Sequence, residues 1–509
     1  MNQTLIKRFW QRKIMNLSKS KYTTTWQCPK ALWMKKYKPE EQMIDESVKA
    51  RMVAGNEVGD LAMSLFGDYI DVTEYKDDKI DLNRMIEKTN EEMEKGTENI
   101  CEASFLYNGL YCAVDILRKE EDGYSIYEVK SSTHDDKDVY FADIAYQKYV
   151  LEHCRINVKD TYLVVINNEY VFDGTLKVDE LFKITDVKEG VADQYLNVEM
   201  NLKKAEEILE SDVEPDIDLD LHCNKPYRCA FWKYCSRALP EPSVFDLYRI
   251  RFKDAISFYK EGITSYEQLE ADPRIKNLTQ VKQIDYALHD KGTYIDKMII
   301  DEFHDKCTYP LYFLDFETEQ PVIPKYIGTK PYQQIPFQYS LHYIEEEGGE
   351  LKHKEFLGVS GQDPRRALAE QLCEDIPLDV CTMAYNKTFE CGRIKELAKG
   401  FPDLSDHLLN IERNIIDLLD PFRQGGYYCK AMGGSFSIKS VLPSMFPNDP
   451  ELDYHNLEGV HNGGEAMSIY PKIQYMNEEE QKIARHNLLK YCELDTYAMV
   501  KVWYKIKSI

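Results

Sequence analysis

Two sets of acidic residues in this chain have the spacing that metal chemistry needs. In Tyr111-Cys-Ala-Val-Asp-Ile-Leu117 a single acid, Asp115, interrupts an apolar run. In Tyr124-Ser-Ile-Tyr-Glu-Val-Lys130 a Glu and a Lys stand two apart. At the period of two that a strand imposes, Ile126, Glu128 and Lys130 share one face. Glu121-Asp-Gly123 reads as the turn that folds the two runs into a hairpin. Asp115 and Glu128 on adjacent strands can hold a hard cation such as Mg²⁺. Lys130 can then steady a phosphate or position the attacking water, which suits metal-assisted phosphodiester hydrolysis. The competing reading is a surface salt bridge on a half-exposed hairpin.

The second set lies further along. Leu311-Tyr-Phe-Leu-Asp-Phe-Glu-Thr318 puts Asp315 and Glu317 on one face of an apolar strand. Two like charges buried side by side are costly unless a cation neutralises them. The flanking Phe and Leu predict a central strand rather than an edge. Thr382–Glu390 reads as a strand running into a helix that carries Glu390. His486–Tyr497 reads as a helix on which Tyr491 and Asp495 share a face.

A third pattern is sulfur. Cys223, Cys229 and Cys235 are evenly spaced beside a proline and aromatics, and Cys28, next to Pro29, is the best candidate for a fourth ligand. Four thiolates suit a 4Fe–4S cluster or zinc. The absence of Cys-x-x-Cys pairs leans toward iron–sulfur. Such a site would tie the start of a domain to its end and be structural. Other cysteines among the thirteen, such as Cys154 and Cys381, sit in apolar runs and read as small core residues.

The first and third patterns together resemble the RecB-like branch of the PD-(D/E)XK nucleases, including the CRISPR-associated single-strand exonucleases. The resemblance rests on Asp115…Glu128-Val-Lys130, on Leu17-Ser-Lys-Ser-Lys-Tyr followed by Cys28-Pro29, and on the cysteines. It implies a restriction-endonuclease-like α/β fold and a catalytic Gln147 on the following helix. It also implies a metal ligand on an early helix, where Glu57 stands in place of the usual His.

The second pattern resembles the DEDD exonucleases of RNase H-like fold: Asp315-x-Glu317, Asn386 leading to Glu390, and Tyr491-x-x-x-Asp495 of the tyrosine branch. Glu390 is a longer acid than that family's norm. The segment Gly433-Gly-Ser-Phe-Ser-Ile-Lys-Ser440 is similar to one in bacterial proteins that fuse this fold behind a RecB-like domain. The resemblance implies two Mg²⁺ or Mn²⁺ ions held by Asp315, Glu317, Glu390 and Asp495, a water oriented by Tyr491, and trimming of 3′ ends.

These residues must be carried by more than one domain. The 509 residues suggest about three units, or two large ones with a connector, 43% apolar content supports large cores, and two prolines near Ala238-Leu-Pro-Glu-Pro242 mark a break. The expected organisation is α/β throughout. A PD-(D/E)XK domain with a four-cysteine cluster spans 1–240, a helical connector 241–305, and a DEDD domain 306–509. Within the connector, Val244–Lys253 and the stretches around Gly262-Ile263 read as helices.

Net charge is −24, yet residues 1–38 hold ten Lys or Arg and no acid, interleaved with Phe9, Trp10, Tyr22, Trp26 and Trp33. Cations for phosphates and rings for bases suit single-stranded DNA, with RNA as the other choice. No apolar run is long enough to cross a membrane or to direct secretion, so the expected location is the cytoplasm. The sequence names no protein partner. The expected function is a bifunctional nuclease, cutting single-stranded DNA in its first domain and trimming 3′ ends in its last, in repair, recombination or defence. The alternatives are an RNA-processing 3′ exonuclease whose first domain only binds, and a nucleic-acid-binding scaffold with both sites decayed.

Overall fold

The computed structural model describes residues 16–44 and 46–509. Phe9, Trp10 and the basic residues Lys7, Arg8, Arg12 and Lys13 lie outside the described residues. The chain divides between Ala238 and Leu239 into two compact units, and Val322–Pro331 counts with the first.

In the first unit, helix α1 (Lys19–Gln27) starts at Ser18, whose hydroxyl accepts from the Lys21 amide. Helix α2 (Pro29–Tyr37) opens on a proline, whose fixed φ suits a first helical position. Helix α3 (Glu46–Ala62) follows. The sheet is built on β1 (Asn99–Tyr107), β2 (Leu110–Glu120) and β3 (Gly123–Lys130), all antiparallel. Helix α4 (Asp138–His153) crosses over to β4 (Val158–Ile166), parallel to β3, and β5 (Phe182–Asp186) closes the edge. Two short strands, Leu17–Ser18 and Ile70–Asp71, complete a seven-stranded sheet. The predicted hairpin is present, with Glu121 and Asp122 between its strands.

The aromatic residues of the basic N-terminal stretch serve the core. Tyr22 is fully buried and stacks on Tyr146 with ring centroids 4.8 Å apart. Trp33 is buried and donates to the Ser211 carbonyl, while half-buried Trp26 donates to Gln194. Tyr22 and Trp33 are thus packed into the domain, while Trp26 stays partly open to solvent.

The second unit carries β6 (Leu311–Glu319), β7 (Ile335–Ile344), β8 (Leu351–Leu357), β9 (Cys381–Ala384) and β10 (Ile415–Asp417) in the order β8-β7-β6-β9-β10. The β6–β7 and β7–β8 pairs are antiparallel, and β6–β9 and β9–β10 are parallel. Helix α5 (Thr388–Gly400) follows β9. Helices α6 (Ile438–Met445), α7 (Gly463–Ile469) and α8 (Glu478–Lys507) come last. As expected, β6 is central and buried on both faces. Its even residues Tyr312, Leu314 and Phe316 join one core, and Leu311 and Phe313 join another with α8 residues such as Ala498 and Trp503. Asp315 and Glu317 continue that second face.

The connector residues group with the second unit. Val244–Lys253 is not one helix. Val244–Asp246 forms a single 3-10 turn under a Ser243–Asp246 capping box, Arg249 takes φ +49°, and the helix proper runs Phe252–Lys260. The side-chain cap and the left-handed residue compete with helix propagation there. Among the described residues no helix is long and apolar enough to cross a membrane.

Candidate metal and cysteine centres

In the second unit, Asp315, Glu317 and Asp495 each offer a carboxylate oxygen, and the three oxygens lie within 4.8 Å of one another. Strand β6 supplies the first two and α8 the third. Helix α8 is fixed in place by an Asn477–Glu480 capping box, three Glu in its first turn and Lys505 and Lys507 in its last, all favourable to its dipole. Glu390, on the first turn of α5, is buried, and its Oε2 has no hydrogen-bond partner among the described residues.

The electrostatics are those of crowded acids. Burial, then Asp495, pushes Glu317 up to about 8. Burial, then the nearby Asp417, pushes Glu390 up to about 8. Asp315 is raised by burial and by Asp495, Glu390 and Glu317. Asp495 rises to about 6 through burial, opposed by hydrogen bonds from Tyr454 and Tyr491. A divalent cation is the natural counter-charge for such a set, and the orphaned oxygen of Glu390 is an acceptor in need of one. The residues present therefore fit Mg²⁺ or Mn²⁺.

Sequence reasoning missed three members of this centre. Tyr454 donates to Asp495 Oδ1 at 2.6 Å. Lys439 holds its ammonium 5.3 Å from the Tyr454 ring centroid and 5.9 Å from that of Tyr491. Asp417 accepts from the amide of Asn386, a residue at φ +66°, and so shapes the turn that presents Glu390. Asp417 left a signal, as an acid closing the apolar strand Ile415–Asp417, and Lys439 lies in the Gly433–Ser440 segment quoted above without a role of its own.

In the first unit the structure brings Asp115, Glu128, Lys130 and Gln147 together. Glu128 is fully buried. Lys130 donates to it at 2.5 Å and to Asp143 at 2.8 Å, and Gln147 donates to it at 2.7 Å. Asp115 accepts from the Val129 amide at 2.7 Å. Lys19, the first residue of α1, donates to both Asp115 (3.2 Å) and Glu128 (3.0 Å). Two ammonium groups thus face Asp115, Glu128 and Asp143, a far better balanced set than that of the second unit. Glu57 is solvent-exposed on α3 and is not gathered with these groups. The third carboxylate is Asp143, one turn before Gln147. A further one, Glu102, lies between the Cys101–Ile116 and Ala103–Val114 pairs of β1 and β2 and is pushed up to about 7 by burial, then by Asp115.

The four cysteines line one cavity. Cys28 caps α2, Cys223 ends a 3-10 turn, Cys229 lies in a loop and Cys235 ends a helical turn. Gln27 clamps the loop by donating to the carbonyls of His222 and Tyr227. All thirteen cysteines are free thiols. Burial raises Cys28, Cys229 and Cys235 and pushes Cys223 to about 11, so thiolates there need a cation. Groups of three or more ligand atoms mutually within 4.8 Å, among the described residues, do not include these sulfurs. One other such group, Glu270, Asp285 and His289, is closed by ion pairs from His289 to Glu270 and Lys291 to Asp285.

Residues 312–437 match a family described as a domain of unknown function, DUF2779. The matched stretch contains Asp315, Glu317 and Glu390 and stops short of Lys439, Tyr454, Tyr491 and Asp495. A protein of Ureaplasma parvum serovar 3, named uncharacterized protein UU173, is 27% identical over 238 residues. The match covers 41% of this chain and 33% of that protein, so the chain spans about a third of that relative's length.

Proposed function

We propose that this chain is a metal-dependent nuclease with a centre in each unit. The second centre is an RNase H-like 3′ exonuclease site of the DEDD type, and the first is a PD-(D/E)XK site on a domain held by a 4Fe–4S cluster. The observation that carries the reading is the convergence of carboxylate oxygens of Asp315, Glu317 and Asp495 within 4.8 Å, with Glu317 buried and the buried, unpartnered Glu390 near enough to raise both Asp315 and Glu317. Their position supports it too: Asp315 and Glu317 lie just beyond the stretch of central β6 that pairs in parallel with β9, between that strand and antiparallel β7. In open α/β sheets that is where ligands bind.

Mg²⁺ or Mn²⁺ at these residues would supply Lewis acidity and an activated water for phosphodiester hydrolysis. The chain's own groups do the rest. Asp315, Glu317, Glu390 and Asp495 hold the ions. Tyr454 keeps Asp495 in one orientation, and Tyr491 orients the water. In the first unit Lys130 and Gln147 align Glu128, and Lys130 can also meet a phosphate. Cys28, Cys223, Cys229 and Cys235 would hold the cluster, which ties both ends of the domain together. A nucleic-acid strand is the substrate, single-stranded DNA before RNA. A reducing cytoplasm suits thirteen unpaired cysteines.

One observation favours a second reading of the first unit. Lys19 and Lys130 already satisfy Glu128 and Asp115, so this centre can bind a strand without cutting it.

The test is Mn²⁺ titration followed by electron paramagnetic resonance. The proposal expects bound Mn²⁺ of which Asp315→Asn removes the share held by the second unit. Equal binding by wild type and variant, or no binding by either, overturns it.

A further inference from the structure

We propose that Lys439, on the turn that also carries Ser435, Ser437 and Ser440, is the seat for a backbone phosphate of the strand being cut, next to the scissile bond. This rests on the nuclease reading of the second centre and names how that centre grips its polymer.

Four acids gathered in one place repel a nucleic acid. Bound divalent ions reverse that at the scissile phosphate, but the next phosphate along needs a cation of its own. Lys439 is exposed, and its ammonium lies over the rings of Tyr454 and Tyr491, the two tyrosines that bond Asp495. It influences Glu317 and Asp495 from a distance and lies in no ion pair within 4 Å among the described residues. A lysine that faces acids without contacting them keeps its three donors for a ligand.

The turn that presents Lys439 is rigid. Gly433 takes φ +58°, and a Cβ on Gly434 would lie 2.1 Å from the Asp246 carbonyl oxygen, so both positions require glycine. Phe436 is buried, and its carbonyl accepts from Tyr385 OH at 2.6 Å. The Gly433 carbonyl accepts from Tyr428 OH at 3.1 Å. With Phe436 anchored inward, Ser435 and Ser437 are left on the outer side. Ser437 Oγ lies 3.2 Å from Ser435 Oγ and 3.1 Å from Ser440 Oγ. Ser437 is the N-cap of α6 and makes no side-chain cap bond. An ammonium over the tyrosines of the metal centre, held on a rigid turn, makes a receptor for a phosphodiester.

The experiment compares wild type, Lys439→Met and Lys439→Arg on a labelled single-stranded oligonucleotide with Mn²⁺. For Lys439→Met we expect KM to rise roughly tenfold, kcat to stay within about threefold, and the salt dependence of binding to fall by about one phosphate contact. Lys439→Arg should restore most of KM. Mn²⁺ affinity of the centre, titrated without nucleic acid, should not fall in either variant. Unchanged KM and salt slope, or a loss that tracks weakened Mn²⁺ binding, overturns the proposal. If wild type hydrolyses nothing, the nuclease reading fails, and oligonucleotide binding with Ca²⁺ decides Lys439 separately. Binding that Lys439→Met loses upholds the seat; equal binding, or none by either protein, overturns it.

Discussion

Tyr454 and Asp495, far apart in sequence, are joined by a 2.6 Å hydrogen bond from the phenol to Oδ1. The bond fixes one oxygen of a carboxylate that sits beside those of Asp315 and Glu317. Tyr454→Phe keeps the ring and removes the bond. It should lower stability by roughly 1–2 kcal/mol and weaken Mn²⁺ binding by about tenfold or more, as loss of a ligand-orienting partner does. Denaturant unfolding and Mn²⁺ titration measure the two effects. Unchanged metal affinity would mean that the bond serves packing alone.

The raised carboxyl groups give the metal-free protein a definite pH response. An unfolded carboxyl titrates near 4, whereas Asp495 sits at about 6 and Glu317 and Glu390 at about 8 in the fold. The fold therefore retains protons that the unfolded chain has lost, and stability falls as pH rises from about 4 through 8. Mn²⁺ replaces those protons. With chelator the melting temperature should drop between about pH 5.5 and 8.5, and Mn²⁺ should restore it more at the upper end. A flat profile, or equal rescue at both ends, would contradict the geometry.

Much of this was legible in the sequence, for a reason β6 makes plain. A central strand shows every second residue to each face, so Asp315 and Glu317 had to replace apolar side chains beside Leu311 and Phe313. The same logic exposed Glu128 and Lys130 on β3. What the sequence concealed comes from loops and turns, where no period constrains which side chain points where. Tyr454 lies in a short 3-10 turn, and Lys19 opens a helix, each where no apolar period marks the side chain. Glu57 shows the limit of carrying a ligand across from a resemblance: α3 packs on β3, yet this residue stays in solvent.

That contrast yields a paired prediction. Glu57→Gln should leave Mn²⁺ binding and cleavage by the first unit within about twofold of wild type, as for an exposed surface change. Asp143→Asn, which removes the partner of Lys130, should reduce cleavage by that unit at least about tenfold, since a buried charge pair is broken. Cleavage assays in an Asp315→Ala background isolate the first unit. Sensitivity at Glu57 with tolerance at Asp143 would reverse the assignment.

The cysteine cavity predicts a brown protein. Anaerobically purified material should contain about four irons with matching sulfide and absorb in the blue. Cys28→Ser should bleach it and expose the first unit to limited proteolysis, while leaving the second unit folded. Zinc with no iron would refute the cluster.

The most direct test of the whole account is hydrolysis of end-labelled single-stranded DNA and RNA with Mn²⁺, blocking the 5′ and 3′ ends in turn. Wild type, Lys130→Ala and Asp315→Ala are compared. The account predicts two product patterns: one ended by a 3′ block and lost with Asp315→Ala, the other lost with Lys130→Ala. A wild-type protein that cuts neither strand, or a pattern untouched by both substitutions, would contradict it.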